Sequence, residues 1–353
     1  MILEEISSLR WLAILSGVAM LVSGVWWGRR RRIGTVSPLV LAGLGVLLVI
    51  VGLFPAVAKV PATFFVLGRL DGGALILLLI VSTIVLWVAL LWNRSKIDFL
   101  RGRLNGVLTQ MAVGNFLRDL DSWESLGDDV FVVIPALNEA DHIGNVIQEI
   151  PATVDGYRVR TLVVDDGSSD GTGDVARQRG ALVLRMPVNS GQGSALKAGY
   201  QACLGVGARA VVTLDADGQN DPAEMDRVVG PILRGEADVM IGSRVLGKYE
   251  RTNISRTVGV YTFNLLLTIL TGTRITDCAS SFRAFSPKML SAVDLQQEQY
   301  QSAEILIEAA RAGFPITECA IHWRRRQKGE TKKGGSLKYG LFFMRTIIKT
   351  WAR

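Results

Sequence analysis

Val211-Val212-Thr213-Leu214-Asp215-Ala216-Asp217-Gly218-Gln219 is the stretch on which the fold turns. An apolar run of strand type stops abruptly in two carboxylates one residue apart, and a glycine follows. Side chains along a strand alternate between faces, so Asp215 and Asp217 share a face only where the extended conformation continues. The C-terminal end of a strand is where an open α/β sheet places its ligand crevice. Two hard oxygen donors there suit Mg2+ or Mn2+, and such an ion suits a substrate carrying phosphates. A lone Asp-x-Asp is equally what a solvated turn looks like, so its meaning depends on the neighbouring strand ends.

Around this stretch, strands and helices alternate. Strands are expected at Val130 to Ile134, Val159 to Val164, Ala181 to Leu184, Ala210 to Leu214 and Ala237 to Ile241. Helices are expected between them, for example Gly191 to Leu204 and Ala223 to Leu233. This order, with right-handed crossovers, predicts an α/β domain with a doubly wound, mainly parallel sheet. Each expected strand runs into a polar cluster: Pro135-Ala136-Leu137-Asn138-Glu139, Asp165-Asp166-Gly167-Ser168, Asn189-Ser190-Gly191-Gln192-Gly193, Asp215-Ala216-Asp217 and Gly242-Ser243-Arg244. Such ends lie side by side on one edge of the sheet. Five polar clusters on one edge mark a site, where one alone would mark a turn. A dinucleotide fingerprint is excluded, because the first strand is not followed by a glycine-rich turn and Leu196 stands where a third glycine is needed.

Taken together, these clusters and Asp277-x-x-Ser280-Ser281-Phe282-Arg283-Ala284-Phe285 resemble the family 2 glycosyltransferases of the GT-A fold, in their polyprenyl-phosphate (dolichyl-phosphate mannose synthase-like) branch. The resemblance covers roughly Val130 to Lys338 and implies a GT-A domain over 130–335. It implies nucleotide-sugar contacts from Pro135, Leu137, Asn138, Glu139, Val164, Asp165, Asp166, Gly193, Asp215, Ala216, Asp217 and Arg244. It implies Mg2+ or Mn2+ on Asp215, Asp217 and Gln219, and catalytic roles for Asp215, Asp217, Arg244 and Glu304. Contacts to the diphosphate or to a lipid phosphate would come from Arg244, Lys248, Arg251, Arg256, Ser280, Arg283, Arg324, Arg326 and Lys328.

The acceptor can be argued from acidity. A sugar hydroxyl needs a carboxylate base beside it, whereas a lipid phosphate, with a second pKa of about 6, is already largely anionic at neutral pH. Polymerising members of the family carry an acidic pair near Gln301-Ser302-Ala303-Glu304; here only Glu304 is acidic. A phosphate acceptor is therefore expected, with Glu304 open as a base or a helix residue.

Composition adds a membrane. The chain has 353 residues, 49% of them hydrophobic, and a net charge of +7; its mean hydropathy is +0.31. Apolar runs at 11–27, 36–57 and 73–92 approach the roughly 20 residues that cross a bilayer. Arg29 to Arg32 and the basic stretch Arg94 to Arg103 orient three spans with the N-terminus outside and everything after Trp92 cytoplasmic. This three-helix preface, residues 1–95, resembles a module associated with such transferases. Residues 96–129 are expected as an amphipathic helix and linker, with Leu100, Leu104, Val107, Leu108 and Met111 on the apolar side.

The last stretch is basic. From Arg324 to Arg353 ten Lys/Arg stand against one Glu, a net +9 out of the whole-chain +7, so the rest sums to −2. Residues 336–353 read as an interfacial helix on anionic lipid, with Leu337, Leu341, Met344, Ile348 and Trp351 on one face. Cys203, Cys278 and Cys319 fit buried thiols in a reducing compartment. With only His142 and His322, a histidine metal site or triad is not expected.

The expectation is an inverting glycosyltransferase in the cell (inner or plasma) membrane. It moves a sugar from a UDP- or GDP-linked donor to polyprenyl phosphate. Membrane lipids, a flippase or a second copy of the chain would be its partners, and nucleic acid would not. The alternatives are a glycan or glycolipid hydroxyl acceptor, and a catalytically silent scaffold for a flippase.

Overall fold

The computed structural model describes residues 11, 14–23, 42–46, 49–50, 53, 73–120, 127–247, 254–324 and 336–353. The chain divides into two compact units, Met1–Arg103 and Leu104–Arg353. In the first, helical segments meet at Gly17 and Gly45. A Cβ on Gly17 would lie 2.8 Å from the Gly45 carbonyl oxygen, and one on Gly45 2.6 Å from that of Gly17. Trp11, Leu15, Val18, Val22, Val46 and Ile50 are exposed. Small residues inside and large apolar ones outside are the pattern of helices that pack by backbone approach.

Much of the expected span 36–57 lies outside the described residues, as do 12–13, 24–27, 29–32 and 59–71. The third run lies on helix α1 (Gly73–Leu120). Among the described residues no helix is long and apolar enough to cross a membrane. Helix α1 continues unbroken through residue 96. Within the second unit its packed face differs from the expected one. Leu104, Val107 and Met111 are exposed, while Thr109, Ala112, Val113 and Phe116 are buried. That stripe also follows helical spacing; its small side chains let the helix lie close, and the larger neighbours mask it in the sequence.

The second unit is a sheet covered on both faces. In order come β1 (Val130–Ala136), α2 (Ala140–Glu149), β2 (Thr153–Val154), β3 (Tyr157–Asp165), α3 (Thr172–Gln178), β4 (Leu182–Arg185), α4 (Gln192–Gly205), β5 (Ala210–Thr213), α5 (Met225–Leu233), β6 (Val239–Ser243), α6 (Ile254–Thr271), β7 (Arg283–Phe285), α7 (Pro287–Ala292), α8 (Gln301–Arg311), β8 (Ile316–Ala320) and α9 (Ser336–Trp351). The eight-stranded sheet runs β2-β3-β1-β5-β7-β6-β8, with β4 paired to β3. Pairs β4-β3, β3-β1, β1-β5 and β6-β8 are parallel.

Alternation along β1 explains the two cores. Phe131 and Val133 face a core with α4, α8 and Phe343 and Ile347 of α9. Val130, Val132 and Ile134 face the other, with Ile143 and Val146 of α2 and Val228 and Val229 of α5. The five expected strands are present. Three more, β2, β7 and β8, are not legible as apolar runs.

Strand β7 matters most. It lies antiparallel between β5 and β6, placing Arg283 opposite both Thr213 and Ile241. The chain leading into β7 therefore enters at the C-terminal ends of the parallel strands. This brings Asp277 to Ser281 to the edge that holds Asp215.

Candidate active site

The β1 end and the loop after β3 are laced together. Asn138, at φ 51°, donates its backbone N–H to Ser168 Oγ (3.0 Å) and accepts from Ser169 N (2.9 Å) on Oδ1. Glu139 N donates to Thr172 Oγ1 (2.9 Å), and Ala140 N to Asp170 Oδ2 (3.0 Å). Asp165 and Asp166 are buried. Asp165 Oδ1 accepts from Ser168 N at 2.8 Å. Asp166 accepts from Ser190 N and Gly191 N, each at 2.8 Å. Burial pushes the Asp166 carboxyl above its ordinary value, against those two hydrogen bonds and with the neighbouring Asp165 adding to it. Much of this motif thus ties together the loops at this edge of the sheet.

Strand β5 ends at Thr213, and residues 216–217 form a turn. The extended conformation does not carry on, so the turn sets how the two carboxylates present. Asp215 Oδ1 accepts from Gln192 Nε2 at 3.2 Å. Asp217 Oδ1 accepts from Gln219 N at 3.1 Å. With the Gln219 amide turned so that both its atoms are satisfied, Nε2 donates to Asp217 Oδ2 (2.8 Å) and Oε1 accepts from Trp323 Nε1 (3.2 Å).

The Trp323 ring lies under the Arg244 guanidinium, 4.5 Å from its centroid. Arg244 in turn closes on Asp277, Nε to Oδ2 and Nη2 to Oδ1, both at 2.7 Å. A line of contacts therefore joins Asp217, Gln219, Trp323, Arg244 and Asp277. Glu318 fixes its far end, accepting from Thr276 N (2.9 Å), Thr276 Oγ1 (2.7 Å) and Asp277 N (3.2 Å).

Beside Asp215 opens a cavity of ≈ 190 Å3, lined among others by Pro135, Gln192, Gly193, Ser280, Arg283 and Gln301. Ser280, Arg283 and Gln301 are almost fully buried. Ser280 Oγ, Arg283 Nε and Gln301 Oε1 have no hydrogen-bond partner among the described residues. Buried polar atoms are normally satisfied, so three on one cavity call for a polar ligand. Arg283 is held by Nη1 on Ser302 O and Nη2 on Cys278 O, both at 2.7 Å. Burial pushes its guanidinium below its ordinary value.

Glu304 stands apart from this cavity. It is fully buried and accepts from Gln296 N on Oε1 (2.8 Å) and Gln297 N on Oε2 (2.9 Å). Arg353 Nη1 approaches Oε1 at 3.0 Å. Burial pushes the Glu304 carboxyl up despite these partners. Arg324 pairs with Glu149 and with Asp221 Oδ1 (2.7 Å). Lys248, Arg251, Arg326 and Lys328 lie outside the described residues, as does the side chain of Arg256. Cys203 and Cys278 are buried free thiols and Cys319 is half-buried; burial pushes the Cys278 thiol up to about 12.

Sequence reasoning missed Gln192, Gln301, Trp323 and the pairing of Asp277 with Arg244. The last had a signal: an aspartate opening a Ser-Ser-Phe-Arg motif, in a chain with an arginine at another strand end. Trp323, one residue ahead of a basic run, had none.

Residues 131–293 match the model of "Glycosyl transferase family 2". An undecaprenyl-phosphate mannosyltransferase of Micrococcus luteus is 32% identical over 219 residues, 59% of this chain and 88% of the relative. A polyprenol monophosphomannose synthase of Mycolicibacterium smegmatis is 30% identical over 222 residues, 58% of this chain and 81% of the relative. A UDP-N-acetylglucosamine–dolichyl-phosphate N-acetylglucosaminyltransferase of Methanococcus voltae is 28% identical over 54% of this chain and 84% of its own length. Among solved structures, the glucosyl-3-phosphoglycerate synthase of Mycobacterium tuberculosis with Mn2+ and UDP-glucose shares the fold. Its TM-score is 0.50 at 22% identity, over 68% of this chain and 83% of that one. With a 32% identical enzyme matched over 88% of its own length, the chain belongs to glycosyl transferase family 2.

Proposed function

We propose that the protein transfers a sugar, with inversion, from a nucleotide-diphosphate donor to a polyprenyl phosphate. The observation that carries the acceptor is the position of Glu304. A hydroxyl acceptor needs a carboxylate base, yet both Glu304 oxygens are held by backbone N–H groups and Arg353. The carboxylate lining the cavity is Asp215, which this reading assigns to the metal. An anionic lipid phosphate requires no base. Arg283 Nε and the Ser280 hydroxyl, both without a partner among the described residues, offer it donors. The relatives named above carry a polyprenol-type lipid phosphate in their names.

Asp215 and Asp217, with Gln219 set on Asp217, would hold Mg2+ or Mn2+. Among the described residues no group of three or more His, Cys, Asp or Glu could hold a metal. Two carboxylates fit an ion that completes its shell with substrate phosphates and water. When bound, the ion neutralises the charge of the departing diphosphate. Arg244, locked on Asp277, keeps a fixed positive charge on the same edge. The loops tied by Asn138, Asp165 and Asp166 would cradle the nucleoside.

The three N-terminal runs serve as the anchor, with the catalytic unit cytoplasmic. The contact of Gly17 with Gly45 under exposed apolar side chains supports helices packed in lipid. Exposed Tyr261, Leu265 and Ile269 on α6, and Phe342, Ile348 and Trp351 on α9, support an interfacial surface.

The test is an assay of the full chain with short-chain polyprenyl phosphate, labelled UDP- and GDP-sugars, and Mg2+ or Mn2+. Labelled lipid-phosphate sugar is expected. Product on a glycolipid hydroxyl with none on the phosphate would sink the reading. Nucleotide binding without turnover on either acceptor would favour a scaffold.

A further inference from the structure

Glu304 is a buried acid that the proposed reaction does not use, and its contacts lead back to the site. We propose that Glu304 and Arg353 are positioning residues that clamp the start of α4 at Gly191–Gly193, and with it Gln192, onto Asp215. This inference rests on the reading of Asp215 as part of the metal and diphosphate seat.

The first link is the clamp itself. Glu304 gathers Gln296 N, Gln297 N and Arg353 Nη1 at 2.8, 2.9 and 3.0 Å. Glu304 is fully buried, and the Arg353 side chain is 26% exposed, so solvent competes weakly for the pair. Arg353 is aimed by the end of α9, where Arg311 Nη1 donates to Thr350 O at 2.8 Å and Nη2 to Trp351 O. A cation on the last carbonyls of a helix caps it.

The second link is backbone against backbone. Gly193 N donates to Glu298 O at 2.8 Å. A Cβ at Gly193 would stand 2.3 Å from Gln297 O, and one at Gly191 2.6 Å from Glu298 O. Gln301 Nε2 adds a bond to Gly193 O at 3.2 Å, and Asn105 Nδ2 holds Glu298 Oε1 at 2.7 Å. At this spacing the 296–298 segment cannot shift without moving the start of α4. The third link is Gln192 Nε2 on Asp215 Oδ1 at 3.2 Å. Three contacts thus connect the end of α9 to the carboxylate seat, and the seat's geometry depends on a helix remote from it.

The experiment compares the full-length wild type with Arg353→Ala, Arg353→Lys and Glu304→Gln. Hydrogen exchange is followed in the 190–195 peptide, and Mn2+-dependent UDP and GDP binding by calorimetry. Arg353→Ala should raise exchange at 190–195 while β1 and β3 keep their protection. It should weaken nucleotide-diphosphate binding roughly tenfold, the scale of losing an outer-shell support. Arg353→Lys, keeping the charge, should restore both. Glu304→Gln turns one acceptor into a donor facing a backbone N–H, and should match or exceed Arg353→Ala. Unchanged exchange at 190–195 in Arg353→Ala overturns the clamp, even if binding falls. Raised exchange with wild-type binding overturns its role in the site. A wild type that binds neither nucleotide refutes the donor-site reading, and exchange alone then decides whether the clamp holds the start of α4.

Discussion

Arg244 and Asp277 form a closed pair. Asp277 is fully buried and the Arg244 side chain 12% exposed. Two side-chain bonds at 2.7 Å and a backbone N–H bond at 3.0 Å join them. The strand end after β6 and the segment leading into β7 are thereby one unit. A buried pair broken on one side leaves an uncompensated charge, costing about 3–5 kcal/mol. Asp277→Asn is expected to lose about 3 kcal/mol in urea unfolding, toward the low end because Asn keeps one acceptor. Arg244→Lys should also destabilise, since an ammonium cannot reproduce the fork. A loss under ~1 kcal/mol for Asp277→Asn, the scale of a surface pair, would contradict this account.

Asp217 is only partly buried, and Gln219 of its own turn meets both its carboxylate oxygens. Asp217→Ala should therefore leave the melting temperature near that of the wild type. Metal-dependent transfer should fall by about 10²-fold or more, because a directly held ion stabilises developing charge. Activity that survives at the wild-type level would remove Asp217 from the metal seat.

Gly193 answers to space. Its Cβ would meet Gln297 O at 2.3 Å and the Glu298 carbonyl carbon at 2.8 Å, both backbone atoms. Neither neighbour can rotate away. Gly193→Ala should cost about 1–3 kcal/mol, the range for overpacking a filled site. Gly114→Ala, where a Cβ meets nothing within 4 Å, is the control and should be neutral or stabilising. Equal melting temperatures for the two variants would refute the close approach.

The contrast between those glycines shows what the sequence carries. Strands β1, β3, β5 and β6 were readable because each is an apolar run cut off by polar residues. Strand β7 was not: it has three residues and opens on Arg283, a charged residue whose burial depends on the carbonyls of Cys278 and Ser302. Strand β8, Ile-Thr-Glu-Cys-Ala, is an edge strand with one buried residue, too polar to stand out. In the site, the strand-end carboxylates were legible because local spacing makes them adjacent. Glu304 was legible as an acid but not as a clamp, because its partners come from a loop and from the end of α9. The buried face of α1 was hidden for a similar reason, since packing favoured Ala112 and Val113 over larger neighbours.

Burial raises the Asp166 carboxyl above 3.8, which fixes a sign. The folded state holds the proton more tightly than the unfolded chain. The stability this group contributes is full below 3.8 and is lost as pH rises through the folded value. Relative to Asp166→Asn, which does not titrate, the wild type should lose stability as pH climbs out of the acid range. Denaturant unfolding of both chains across that range checks it. A gap that widens in favour of the wild type with rising pH would show that the bonds from Ser190 N and Gly191 N outweigh burial.

Trp323 tests whether the line from Asp217 to Arg244 acts as a unit. Its indole N–H orients Gln219, which braces Asp217, and its ring face supports Arg244. Trp323→Phe keeps an aromatic face for the guanidinium but removes the donor. Metal affinity should then weaken by roughly tenfold, as for other groups that orient a metal ligand. Trp323→Leu removes both functions, and should also weaken nucleotide-diphosphate binding measured without metal, where Arg244 acts alone. Calorimetry with Mn2+, and with UDP or GDP in the presence of a chelator, separates the two losses. If Trp323→Phe binds Mn2+ as tightly as the wild type, Gln219 holds Asp217 unaided and the tryptophan serves only the arginine.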